Sequence, residues 1–362
     1  MIAAQGSPKT DCFETDCFGP TRRRAALWFA LLLASSLAGL ALPAIASETP
    51  RTLEPPVKIE VRAKPITSFD TRDPQRVRFG ALEFRGGLEL SSDYQNFGGL
   101  SGLYMAPDGV RFLMLTDRGR WLRGRIVAEG DKPIRLEDAE MAPILGPDGR
   151  PLGARGWYDT ESLAMDGGTA YVGIERVNQI VRFDYGRQGL QARGQPVPLP
   201  PGLKELPRNQ GIEALAFVPR GLPLAGTLIA ISERGLDAAG NTRGFLIGGP
   251  ALGAFAVIRS DDFDITDAAV TPAGDLLILE RKFSIFRGAG MRIRKIALAS
   301  IKPGAVLDGP VLILADRANQ IDNMEALGVH KNAAGETILT IISDDNFNPL
   351  QRTILLRFAL VQ

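Results

Sequence analysis

Apolar and polar positions recur along this chain in one repeated order. An acid or hydroxyl opens a short apolar run, a turn follows, and a second apolar run ends in an acid, four times with an arginine after it. The copies begin at Ser101-Gly102-Leu103-Tyr104, Glu161-Ser162-Leu163-Ala164, Glu213-Ala214-Leu215-Ala216, Asp267-Ala268-Ala269-Val270 and Glu325-Ala326-Leu327-Gly328. They close at Thr116-Asp117-Arg118, Glu175-Arg176, Glu233-Arg234, Glu280-Arg281 and Ser343-Asp344-Asp345. A period of about fifty to sixty residues with short, turn-punctuated apolar runs is the mark of blade-type repeats.

Each repeat holds about four strands. In the second copy they read as Ser162–Met165, Ala170–Ile174, Ile180–Tyr185 and Leu190–Leu199. The fold class expected is therefore all-β, a β-propeller of four-stranded blades. Five blades follow from the copies, and a sixth, degenerate one built partly from Leu136–Ile144 stays open. The alternating stretch Val77–Leu90 precedes the first blade and lacks a partner, while Thr353–Leu360 ends a blade without its fourth strand. Pairing the two closes the ring and covers an edge.

Residues 1–46 read as a signal peptide: Arg22-Arg23-Arg24, an uncharged apolar run from Ala25 to Leu42, and a small-x-small site at Ala44-Ile45-Ala46. The expected location is periplasmic or secreted, with no membrane contact after cleavage. Residues 47–75 read as a linker or extended arm and 76–362 as the propeller domain. Cleavage removes both cysteines, Cys12 and Cys17, so the mature chain has neither disulfide nor thiol nucleophile. It also lowers the basic residues from 42 to 38 and the acidic ones from 41 to 38. A neutral chain lacks the basic excess of a nucleic-acid binder.

In a blade the start of the innermost strand and the end of the second share one rim. The repeated acids, with Ser101 and the four arginines, should therefore gather at one mouth of the channel. Two like charges ~6 Å apart at an effective dielectric of ~20 repel by about 3 kcal/mol. Such a ring needs arginine pairing, displaced pKa values or a cation, and oxygen donors without Cys or His suit calcium or magnesium. One reading makes the pairs Glu175–Arg176, Glu233–Arg234 and Glu280–Arg281 clamps between blades. His330, the only histidine, is expected in a surface turn at the other end, which argues against a Ser-His-Asp hydrolase.

The stretch Phe97-Gly98-Gly99-Leu100-Ser101-Gly102-Leu103, with Asp117-Arg118, Glu161-Ser162-Leu163-Ala164, Glu213-Ala214-Leu215 and Ser343-Asp344-Asp345-Asn346-Phe347-Asn348-Pro349, resembles the phytase-like family of exported bacterial proteins, "esterase-like activity of phytase". The resemblance spans about residues 76 to 362 and implies a phosphoester or ester hydrolase acting on a small molecule. On that expectation Glu161, Glu213, Glu325, Asp344 and Asp345 hold Ca2+. Asp117, Arg118 and Arg281 carry the chemistry, and Ser101, Arg176, Arg234 and Asn346 contact substrate. The competing expectation is a non-catalytic envelope propeller that binds a polysaccharide or protein.

Overall fold

In the computed structural model, which describes residues 54–284 and 288–361, five sheets stand around one axis, antiparallel except for one short parallel pair at the outer edge of the third. Their innermost strands are Leu100–Met105, Thr160–Asp166, Ile212–Phe217, Asp264–Val270 and Asn323–Lys331, the inner edges of blades 1 to 5. Each neighbours the next, and the fifth meets the first, so the ring closes at five. The stretch considered for a sixth blade lies, but for Ile144, within Lys132–Pro143, the fourth strand of blade 1.

The ring closes as the unpaired ends of the pattern require. Thr353–Leu360 is the third strand of blade 5 and pairs with Leu82–Ser91, so Leu355 faces Leu88 and Phe358 faces Phe84. Part of the expected linker joins the sheets as well. Val57–Lys58 adds an outer strand to blade 1, and Arg62–Ile66 pairs outside Leu82–Ser91. The signal-peptide reading falls outside the described residues. Among the described residues no helix is long and apolar enough to cross a membrane.

Blade 2 departs from expectation at its outer edge. Of the stretch Leu190–Leu199, only Gln195–Pro196 is a strand. Pro196, Pro198 and Pro200 lack the N–H that a ladder needs.

The core lies in the seams between blades, where five apolar clusters sit, one per seam. This explains why second strands read as unbroken apolar runs. In Leu276-Leu277-Ile278-Leu279 successive side chains point to opposite faces. Leu276 and Ile278 enter the seam with blade 3, and Leu277 and Leu279 the seam with blade 5. All four are fully buried, each worth roughly 1.5–3 kcal/mol.

Phe358 tests the closure. It is fully buried, with its ring edge-on to Phe69 at 5.0 Å and tilted against Phe84 at 5.4 Å. It thus ties the last strand to the N-terminal segment. Phe358→Ala should cost about 3–5 kcal/mol in denaturant unfolding, with the loss absent from an exposed control such as Leu350→Ala.

Candidate functional site at the channel mouth

One structural irregularity repeats in every blade and builds the site. Near its start, each innermost strand carries one extra residue relative to the second strand. The bulged residues are Ser101, Glu161, Glu213, Thr266 and Glu325. A bulge re-aims the side chain it carries. Beside each, one residue past the partner of the residue that precedes the bulge, stand Asp117, Glu175, Glu233, Arg281 and Asp344 in blades 1 to 5.

This register corrects two positions. In blade 4 the acids Asp267 and Glu280 were expected in the ring, but the ring places there belong to Thr266 and Arg281. Asp267 accepts hydrogen bonds from the Leu327 and Ala268 amides and ties blade 4 to blade 5. Glu280, 1% exposed, points the other way and accepts from both Arg292 and Arg294.

The adjacent acid–arginine clamps are corrected too, because neighbouring strand residues face opposite sides. Arg234 pairs with Asp264, not with Glu233. Arg281 spans the mouth, reaching Glu325 at 3.0 Å, Glu233 at 3.3 Å and the Asn323 Oδ1 at 3.0 Å. Arg176 lies over Tyr158, 4.3 Å from the ring centroid.

The mouth therefore holds seven carboxylates, Asp117, Glu161, Glu175, Glu213, Glu233, Glu325 and Asp344, against one guanidinium at a ring position. Burial first, and then their mutual repulsion, drive their pKa values up. Glu161 and Glu213 are held well above the usual carboxylate range. Burial and the other carboxylates push Asp344 up to about 8 and Asp117 to about 6. Glu175 and Glu325 lie at about 7, where hydrogen bonds or Arg281 hold back part of the rise. For Arg281 burial acts downward, but Glu325, Glu213 and Glu233 outweigh it and the net shift is upward.

Oxygens of Glu175, Glu213 and Glu233 lie within 4.8 Å of one another, close enough for one cation. The Gly211 amide donates to Glu175 Oε1 at 2.9 Å and orients it. A side chain at Gly211 would strike Asn178, so blade 3 can approach blade 2 only with glycine there.

The remaining predicted residues divide by role. Ser101 is buried and donates its hydroxyl to the Thr160 carbonyl, a tie between blades. Thr266 does the same to Met324 at 3.1 Å. Asp345 accepts from the Gly99 and Phe347 amides and the Thr353 hydroxyl, and so clasps blade 5 to blade 1. Asn346 and Phe347 follow it in the left-handed region, φ 50° and 49°, a cost typical of functional loops. Phe347 carries the Arg118 guanidinium 3.3 Å from its centroid. Arg118 and Arg176 are exposed, and neither is in an ion pair among the described residues.

Sequence reasoning missed Asp159 and gave no role to Tyr158 and Phe347, the rings on which Arg176 and Arg118 lie. Asp159 takes φ 60° and adds its charge beside Asp117. Its only sequence signal is an acid two residues before Glu161, which the repeat pattern does not mark. His330 does stand at the far end, on the last turn-side residues of Asn323–Lys331, but it is buried rather than at the surface.

A family model for phytase-like proteins, described as "esterase-like activity of phytase", matches residues 95–347, more than half of the chain. Among solved structures, the glutaminyl cyclase of Myxococcus xanthus is similar at 16% identity, over 74% of this chain and 93% of that one, with a TM-score of 0.40. The PQQ-bound aldose sugar dehydrogenase of Streptomyces coelicolor is similar at 13% identity, over 84% and 99%, with a TM-score of 0.39. No curated protein matches the chain.

The raised carboxylates fix the direction of a pH effect. An unfolded chain would release these protons near pH 4, whereas Glu175, Glu325 and Asp344 keep theirs to about 7 or 8. Between those limits the folded state binds more protons, so stability falls as pH rises. In EDTA the melting temperature should drop steadily from pH 5 to pH 8.5, and Glu213→Gln should flatten the slope.

Proposed function

The chain belongs to the phytase-like family, and from that premise we propose that it is an exported hydrolase of phosphoesters or esters, with a divalent cation in the acidic mouth. The observation that supports this most is the division of the mouth by charge. Glu175, Glu213 and Glu233 cluster between blades 2 and 3, while Arg118 and Arg176, each the residue after a ring carboxylate, make no ion pair among the described residues. Chemistry that joins an anion to a cation would use both.

The donor set fits calcium. The oxygens are hard, the three come from different segments of the chain, and their spacing of at most 4.8 Å is what bonds of about 2.4 Å can bridge. When bound, such an ion neutralises the carboxylates and polarises a phosphoryl or carbonyl oxygen. Glu161 borders the same group electrostatically and would complete the holding set with Glu175, Glu213 and Glu233.

The chain's own residues supply the rest of the work. Arg118 and Arg176, braced on Phe347 and Tyr158, would hold the anionic end of the substrate through guanidinium edges that stacking leaves free. Asp117 offers the proton acceptor. Its Oδ1 is buried without a partner, and its pKa of about 6 leaves it mostly ionised at neutral pH. Asp344, at about 8, would carry a proton at the same mouth and could donate it to a leaving oxygen. Arg281, already paired to Glu233 and Glu325, would serve the carboxylates rather than the substrate.

The purified mature protein should release phosphate or alcohol from an ester panel with Ca2+ present, and EDTA should abolish this until calcium is returned. Glu213→Gln should weaken calcium binding by about tenfold or more, the scale on which metal sites respond to altered ligation. Arg118→Gln should raise KM with little change in melting temperature. A protein that turns over none of the panel, and whose melting temperature ignores both EDTA and calcium, would leave the non-catalytic binding role as the reading.

A further inference from the structure

A second polar site lies at the opposite end of the seam between blades 5 and 1. Here three buried side chains have atoms with no partner: Nε of Arg357, Oγ1 of Thr340 and Nδ1 of His330. Arg357 is 2% exposed, Thr340 0% and His330 5%. Native interiors rarely leave such groups unpaired.

Their placement is shared. Thr340 and Arg357 are direct cross-strand partners, and Gly328 is the partner of Thr340 on its other side. His330 stands two residues beyond Gly328 on the same face. That face looks at blade 1: Leu103 and Met105 lie against Gly328, and the Gly109 turn lies against His330. Arg357 also donates to the Gly109 carbonyl at 2.8 Å.

Charge makes the set unusual. Arg357 makes no ion pair among the described residues, and its one hydrogen bond within the protein is to that carbonyl. Asp131 acts on it only at longer range, with no ion pair between them, and accepts from the neutral Asn332 amide, while Asp108 pairs with Arg111. A buried guanidinium without a counter-charge in direct contact costs several kcal/mol. Burial, offset in part by the charge of Asp131, lowers its pKa only to about 10, so it stays charged at neutral pH, while the His330 pKa of about 4 keeps the imidazole neutral.

All three unpartnered atoms can donate at once: the guanidinium N–H, the hydroxyl and, in one neutral tautomer, the imidazole Nδ1–H. We infer that this row is a binding site for one small monovalent anion of halide size, held by Arg357, Thr340 and His330 in the blade 5–blade 1 seam. The anion would supply a contacting counter-charge where the first and last parts of the propeller meet. It is unconnected with the acidic mouth, so its failure would leave the proposed hydrolase untouched.

The test is thermal unfolding of the full protein in sodium chloride or bromide against sodium gluconate at equal ionic strength. Gluconate is too large for a buried pocket. Halide binding to the folded state alone should raise the melting temperature with the logarithm of halide concentration above Kd, by about 4 °C at a hundredfold excess. Thr340→Val and Arg357→Met should each abolish the halide dependence. Thr340→Val adds no charge defect and keeps the test valid should Arg357→Met fail to fold. Crystals soaked in bromide should show anomalous density beside Arg357. Superimposable melting curves in halide and gluconate would mean that the space holds only water, and would overturn the inference. So would a halide effect that persists undiminished in Thr340→Val.

Discussion

Like charges forced together by a closed ring are the constraint on which the rest of this molecule turns. Five blades bring five bulged residues and five strand ends to one opening, and seven of those ten places carry a carboxylate. At ~6 Å and an effective dielectric of ~20, each ionised pair costs about 3 kcal/mol, comparable to a fully buried leucine. The chain meets this in three ways at once. Arg281 binds two of the acids, the Gly211 and Asn346 amides donate to two others, and the remainder hold protons well above their ordinary range. Whatever neutralises the last of that charge is part of the folded state, not an addition to it.

The fivefold pattern is broken in a way that assigns each sector a task. Blades 1 and 4 carry hydroxyls at the bulge, and each hydroxyl donates to the carbonyl just before the glutamate bulge of the following blade. The hydroxyls thus brace Glu161 and Glu325 rather than enlarge the acid ring. Between blades 4 and 5 the charge is cancelled internally by Arg281. Between blades 2 and 3 only Glu233 shares that guanidinium, and among the described residues only there do three carboxylates approach closely enough to share one ion. On blades 1 and 2 the arginines are spared from acids by aromatic rings.

Most of the fold could be read from the sequence, because it depends on periodicities. The repeat set the number of blades, and the orphan strands at the two ends of the chain set how the ring closes. What could not be read was a shift of one residue. Glu280-Arg281 has the same letters as Glu175-Arg176 and Glu233-Arg234, yet the bulge in blade 4 falls at Thr266, one place before Asp267. A bulge adds a residue without altering the apolar spacing on either side, so nothing in the local composition marks it. The slip reverses which of two neighbours faces the channel. It turns the expected fifth acid into a base, and the clamp Glu280 into the centre of a separate buried cluster with Arg292 and Arg294.

The closing seam is where these strands of argument meet. Asp117 and Asp344 come from opposite ends of the propeller sequence and share the mouth only because Thr353–Leu360 pairs with Leu82–Ser91. The contacts that hold this seam are polar at both ends. At the mouth, Asp345 takes the Gly99 amide and the Thr353 hydroxyl. At the far end, Arg357 reaches the Gly109 carbonyl. Apolar packing between them supplies most of the stabilisation but little positional selectivity, since hydrophobic burial has no preferred direction. Hydrogen bonds and charge do have one. The same residues that place blade 5 against blade 1 therefore also set how far Asp344 stands from Asp117, and with it the proton balance of the site.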